Sequence, residues 1–94
     1  MKVEEAKIRA MVYAKELVGL REFYRRINPT HYRRTLVHYT GVIDALEKIG
    51  TSTGEAKLNS LVNVNEVTES IKFLAKFSRI SKGIGPFFDS ISNI

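Results

Sequence analysis

The chain has no cysteine, no glutamine, only two prolines and no apolar run approaching twenty residues. Without cysteine there is no disulfide framework, no thiolate zinc or iron–sulfur site and no cysteine nucleophile, and nothing requires an oxidising compartment. The missing apolar run, together with the lack of a charged-then-apolar leader, excludes a membrane helix and sets cytoplasmic as the expected location. Paired catalytic carboxylates, a Ser-His-Asp set, a P-loop and a glycine-rich dinucleotide fingerprint are also missing, so no cofactor is expected and an enzyme is disfavoured. His31 and His38 lie two helical turns apart, roughly 10 Å, too far to chelate one ion, so no metal site is expected. The length, 94 residues, allows one hydrophobic core at most, and a composition that is 44% hydrophobic and 27% charged is that of a folded globular domain.

What the chain does have is segregated charge. Fifteen Lys and Arg stand against ten Asp and Glu, giving +5. The excess falls in two blocks. Residues 21–38 hold Arg21, Arg25, Arg26, Arg33 and Arg34 with Glu22 as their only acid, interleaved with Tyr24, Tyr32, His31 and His38 and followed by Tyr39. Residues 70–88 hold Lys72, Lys76, Arg79 and Lys82 with no acid. Between them Asp44, Glu47, Glu55, Glu66 and Glu69 outweigh Lys48 and Lys57. Arginine presents a planar fork that matches phosphate and carboxylate and stacks on flat rings, whereas lysine acts as a point charge.

The apolar spacing predicts an all-α fold, a three- to four-helix antiparallel bundle with a long N-terminal helix. Val3, Ala6, Ala10, Tyr13, Leu17, Leu20, Tyr24 and Ile27 recur at steps of three and four, with Ile8, Met11, Val12, Val18 and Phe23 widening the stripe. Asn28-Pro29 ends this helix and starts the next, Asn28 as cap and Pro29 in the first turn. The second helix carries Tyr32, Leu36, Tyr39, Val42, Ile43, Leu46 and Ile49 and stops at Gly50. Ser52 with Glu55 forms a capping box for a third helix; Asn63 with Glu66 is a second cap, so the run to Ile80 reads as one helix or a broken pair, finishing at Arg79, Lys82 and Gly83. Residues 1–82 would form the bundle and 83–94 an apolar tail without a sustained period.

The arginine-rich elbow at 21–38 is the leading candidate site. Crowded guanidinium groups repel one another, and phosphates would neutralise them and release counterions. The three tyrosines would add base stacking unless they face the core. The partner is then a nucleic acid met through its backbone, or an acidic subunit of a larger assembly, with Lys72, Lys76, Arg79 and Lys82 extending the footprint. A non-enzymatic accessory protein of nucleic-acid metabolism, in a DNA replication or polymerase complex, is the expected function. A plain solvated face is the alternative, as is a structural module that docks a larger protein or forms a homo-oligomer through the Val3–Ile27 stripe. A helix-turn-helix around Gly50–Gly54 is poorly supported, because Lys57 is the only cation its second helix offers to base edges.

Two short resemblances add to this. Arg33 and His38 stand at Arg-x4-His spacing, which resembles the motif of the HEPN family of small all-helical ribonucleases; the likeness covers six residues. It implies that Arg33 would steady phosphate charge and His38 move protons, against the alternative of a histidine on a half-exposed helix face. Ser81-Lys82-Gly83-Ile84-Gly85-Pro86-Phe87-Phe88 resembles a degenerate sliding-clamp-binding peptide, the PIP box, with Ser81 where that family has glutamine. It implies that Ile84, Phe87 and Phe88 plug an apolar pocket on a sliding clamp. The alternative is that Phe87, Phe88, Ile91 and Ile94 fold back and complete the core, since leaving them wet would forfeit about 1.5–3 kcal/mol each.

Overall fold

The computed structural model describes residues 1–53, 57–77, 79–80 and 82–93. Four helices follow one another among them: α1 (Val3–Ile27), α2 (Pro29–Gly50), α3 (Val64–Ala75) and α4 (Ile84–Ile91), with a single 3-10 turn at Leu58–Ser60. The fold is an all-α bundle, 41 × 20 × 19 Å. Its long axis is that of α1, whose 25 residues rise about 37 Å.

α1 and α2 form an antiparallel hairpin whose elbow is one residue, Asn28. The Asn28 N–H donates to the Tyr24 carbonyl (2.8 Å), and its side chain accepts from the His31 N–H (3.1 Å) with Pro29 in the first turn. The seam of the hairpin is lined on α1 by Ala6, Ala10, Ala14 and Leu17, all buried. Three alanines in one i, i+4 row let α2 approach closely. The opposing row on α2 is Thr35, Tyr39, Val42, Leu46 and Ile49. Thr35 takes the place expected of Leu36 because it is small and its hydroxyl is satisfied locally, donating to the His31 carbonyl at 2.8 Å.

The expected widening of the α1 stripe does not occur. Ile8, Val12, Val18, Phe23, Val3 and Ile27 are exposed. α1 has neighbours on one side only, and α4, with eight residues, is too short to cover the other.

α2 ends at Gly50, as expected. Its terminus is closed by two hydroxyls that capture its last carbonyls, Thr51 Oγ1 to Glu47 O (2.7 Å) and Ser52 Oγ to Ile49 O (2.9 Å). The expected capping box falls partly outside the described residues, at Glu55. Ser52 bonds backward, and the segment at Leu58–Ser60 is a 3-10 turn that buries Leu58. The helical run begins at the second cap, where Asn63 accepts from the Glu66 N–H at 3.1 Å. α3 stops at Ala75, earlier than the expected Ile80, tightening through Lys76 N–H to Phe73 O and Phe77 N–H to Leu74 O.

For the tail, the core-completing alternative holds in place of the clamp-binding one, and the segment has a helical period that the sequence did not show. Residues 84–91 form a helix whose Ile84, Phe87, Phe88 and Ile91 are all buried, the i, i+3, i+4, i+7 pattern of a core-facing stripe. Pro86 sits in the first turn, where its missing N–H has no acceptor to lose. Phe87 meets the Tyr13 ring edge-on (5.4 Å), and Asn59 Nδ2 donates to Ser92 O (3.2 Å). Arg9 donates to the Tyr13 hydroxyl (3.1 Å), a bond that raises its pKa, and lies over Phe87. One continuous core contains residues from all four helices. Ile84, Phe87 and Phe88 are therefore core residues, and a sliding clamp would have to extract α4 to reach them. Ser81 and Ile94 lie outside the described residues.

Candidate nucleic-acid interface

The five elbow arginines end up at one end of the rod but on different flanks. Arg21 is half-buried and donates from Nη1 to Thr40 Oγ1 (3.2 Å), tying α1 to α2. Arg25 pairs with Glu22 at 2.8 Å across an exposed turn. A pair this wet contributes about 0–1 kcal/mol, so its guanidinium is readily exchanged to another anion. Arg26 and Arg33 are exposed and form no ion pair with a described residue. Arg33 shares a face of α2 with Thr40, two turns on, and so lies on the Arg21 flank. Arg34, turned about 100° from it, faces α3 and stacks on Phe77, 4.7 Å from guanidinium carbon to ring centre. A guanidinium held over a ring by its charge makes no hydrogen bond to that ring and keeps its N–H groups for an oxyanion. The first turn of α2 carries no acid. The positive end of the α2 dipole therefore adds to the arginine field.

An aromatic column, which the spacing of the sequence did not reveal, fixes α3 against this elbow. Tyr24 meets His31 (4.2 Å), His31 meets Phe77 (6.1 Å), Phe77 meets Phe73 (5.0 Å), and Phe73 stacks on His38 (4.1 Å, 29°). Only the i, i+4 relation of Phe73 to Phe77 could have signalled it. The column seats Arg34. It also buries His31 Nε2 without a partner among the described residues. For Tyr39 the core-facing alternative to base stacking holds, since it is fully buried, while Tyr24, engaged by Phe23 and His31, and Tyr32 are half-buried.

The second basic block is strung along the molecule. Lys76 precedes and Arg79 follows, in sequence, the Phe77 ring that Arg34 lies over, and Lys76 also lines the α2–α3 groove. Lys72 pairs loosely with Glu69 (3.8 Å) on the wall of an α2–α3 groove of about 860 Å³, where Lys48, Asp44 and Glu66 give mixed charge. Lys82 adjoins Gly83, whose backbone abuts Tyr13, about 20 Å along α1 from the elbow. Arg25, Arg26, Arg33 and Arg34 thus lie within two turns of the elbow on different flanks, Arg34 against Phe77, and Lys82 lies apart.

His38 places Nδ1 3.1 Å from Ser70 Oγ and faces α3. Arg33 is five residues away, about 140° around the helix, so the two leave α2 on different sides. No recognition helix follows Gly50–Gly54 at the first described residues after it, which form the 3-10 turn. Among the described residues no cluster of three or more His, Cys, Asp or Glu is placed to hold a metal ion, and no helix is long and apolar enough to cross a membrane. Compared with protein-family models, curated proteins and solved structures, the chain finds no significant match.

Proposed function

We propose that this is a small, basic, non-enzymatic binding protein of nucleic-acid metabolism, an accessory of a DNA-handling assembly, that meets the phosphate backbone with its elbow end. The observation that supports this is the exposure of Arg25, Arg26, Arg33 and Arg34 around a one-residue turn, in a stretch, residues 21–38, whose only acid is Glu22. Cations crowded at the positive end of α2 raise the energy of the free protein, and an array of phosphates lowers it. With the tyrosines engaged or half-buried, the contact is with backbone rather than bases, so sequence preference is weak. Arg34 and Arg33, on the two flanks of α2, would straddle a strand, with Lys76 and Arg79 extending the contact.

The test is the affinity of the chain for a labelled DNA duplex, read by anisotropy between about 50 and 200 mM salt. With roughly four to six phosphates neutralised, log affinity falls against log salt with a slope of about −3.6 to −5.4. Replacing Arg33 and Arg34 together with alanine flattens that slope by about 1.8 while leaving helicity unchanged. No binding at the low-salt end, or a slope near zero, would overturn the reading. Equal binding of polyglutamate would transfer it to an acidic protein partner.

A further inference from the structure

We infer that the outer face of α1 is a dimer surface on which a second copy of this chain docks antiparallel. Opposite the buried alanine seam, Glu5, Ile8, Val12, Lys15, Glu16, Gly19, Phe23 and Arg26 fall within about 100° of arc, and every one is exposed. Ile8, Val12 and Phe23 are 65%, 54% and 43% exposed and stand outside the single core, Ile8 and Val12 at the edge of a shallow groove that reaches Gly50 of α2. The four charged residues on this stripe form no ion pair with a described residue of their own chain, although Glu4 and Glu22 on the same helix do.

The occupant follows from the order of these residues. Placed antiparallel about a two-fold axis between Lys15 and Glu16, two copies set Glu5 opposite Arg26, Ile8 opposite Phe23, Val12 opposite Gly19 and Lys15 opposite Glu16, each pair occurring twice. Every acid meets a base and every apolar side chain meets an apolar or empty position. A parallel pair would set Glu5 against Glu5 and Arg26 against Arg26. Gly19 supports the same register. It weakens the middle of a long helix, and a Cβ there would meet nothing within 4 Å in its own chain, so packing within the monomer gives no reason for it. Opposite Val12 it is the notch that admits the side chain. Phe23 is already held edge-on by Tyr24 at 5.6 Å, which reduces the ordering cost of docking. This surface does not rest on the polyanion reading; Arg26 is the residue the two share.

Sedimentation of the full chain over a concentration series is expected to give a monomer–dimer equilibrium with a Kd on the order of micromolar. Glu5→Arg and Arg26→Glu each raise that Kd about fivefold at low salt, and the double variant restores it, because both changes then face each other across the axis. Gly19→Leu raises the melting temperature of the dilute monomer yet weakens the dimer about tenfold. The absence of native cysteine allows a direct reading of register: oxidised mixtures of Ile8→Cys and Phe23→Cys chains yield the mixed disulfide in excess over either homodimer. All of these positions are exposed, and circular dichroism of each variant is the control for folding. A monomer up to about 1 mM overturns the proposal. A dimer that ignores the charge swaps, or that links Ile8→Cys to itself, overturns the antiparallel register.

Discussion

At Gly83, on the way into α4, the backbone passes close to Tyr13 of α1, and what the glycine supplies is space. A Cβ built there would overlap the Tyr13 hydroxyl and crowd its ring carbon Cζ at 3.0 Å. Tyr13 has little freedom to withdraw, since Arg9 holds its hydroxyl and Phe87 meets its ring edge. Gly83→Ala is therefore expected to lower stability by about 1–3 kcal/mol, as overpacking does, measured by urea unfolding. Adding Tyr13→Phe removes the nearer clash and should recover part of the loss despite forfeiting the Arg9 bond. A double variant no more stable than Gly83→Ala would mean the ring is not what excludes the methyl. Nothing in the sequence marks this. The glycine reads there as a helix stop, because its physical reason is a tyrosine seventy positions earlier.

The hairpin was legible for a local reason, and the second half of the chain was not for a non-local one. Asn28-Pro29 signals both the end of α1 and the start of α2 by chemistry confined to a few residues, and the three–four spacing on either side runs for many turns. After Gly50, two candidate caps compete within a dozen residues, and propensity alone does not choose between Ser52 and Asn63. Leu58 decides it by being buried in a 3-10 turn, which leaves Asn63 to start α3. Likewise four buried positions in an eight-residue helix are too few to stand out as a period when Gly85 and Pro86 interrupt them. The candidate site shares this split: the arginine cluster was visible as composition, while the Phe73–Phe77 column that seats Arg34 depends on where α3 docks. If Asn63 is the operative cap, Asn63→Ala costs about 0.5–2 kcal/mol and Ser52→Ala much less, compared by thermal unfolding. The reverse order would place the helix start upstream.

At the level of the whole molecule, charge and core are arranged along the same axis. The elbow end carries an excess of cations, whereas at the far end Glu4, Glu5, Glu47 and Glu66 are offset by Lys2, Lys7 and Lys48, so the rod runs from a positive end to a nearly neutral one and steers a polyanion to the elbow. That direction is useful only if the rod is rigid, and rigidity depends on α4. Its Phe87 and Phe88 are among the largest fully buried side chains and join residues from every helix into one cluster. A chain this short buries roughly 60–65% of its unfolded surface, so losing one such ring removes much of its stability. Phe88→Ala should cost about 3–5 kcal/mol, with one cooperative transition seen alike by helicity and by tyrosine fluorescence. A docking tail held apart from the core would behave differently. Its loss would leave the midpoint of the remaining bundle in place, and an early, separate loss of a few helical residues would precede the main transition. Finding that early step would return residues 83–94 to the role of a detachable segment and make α4 available to a partner after all.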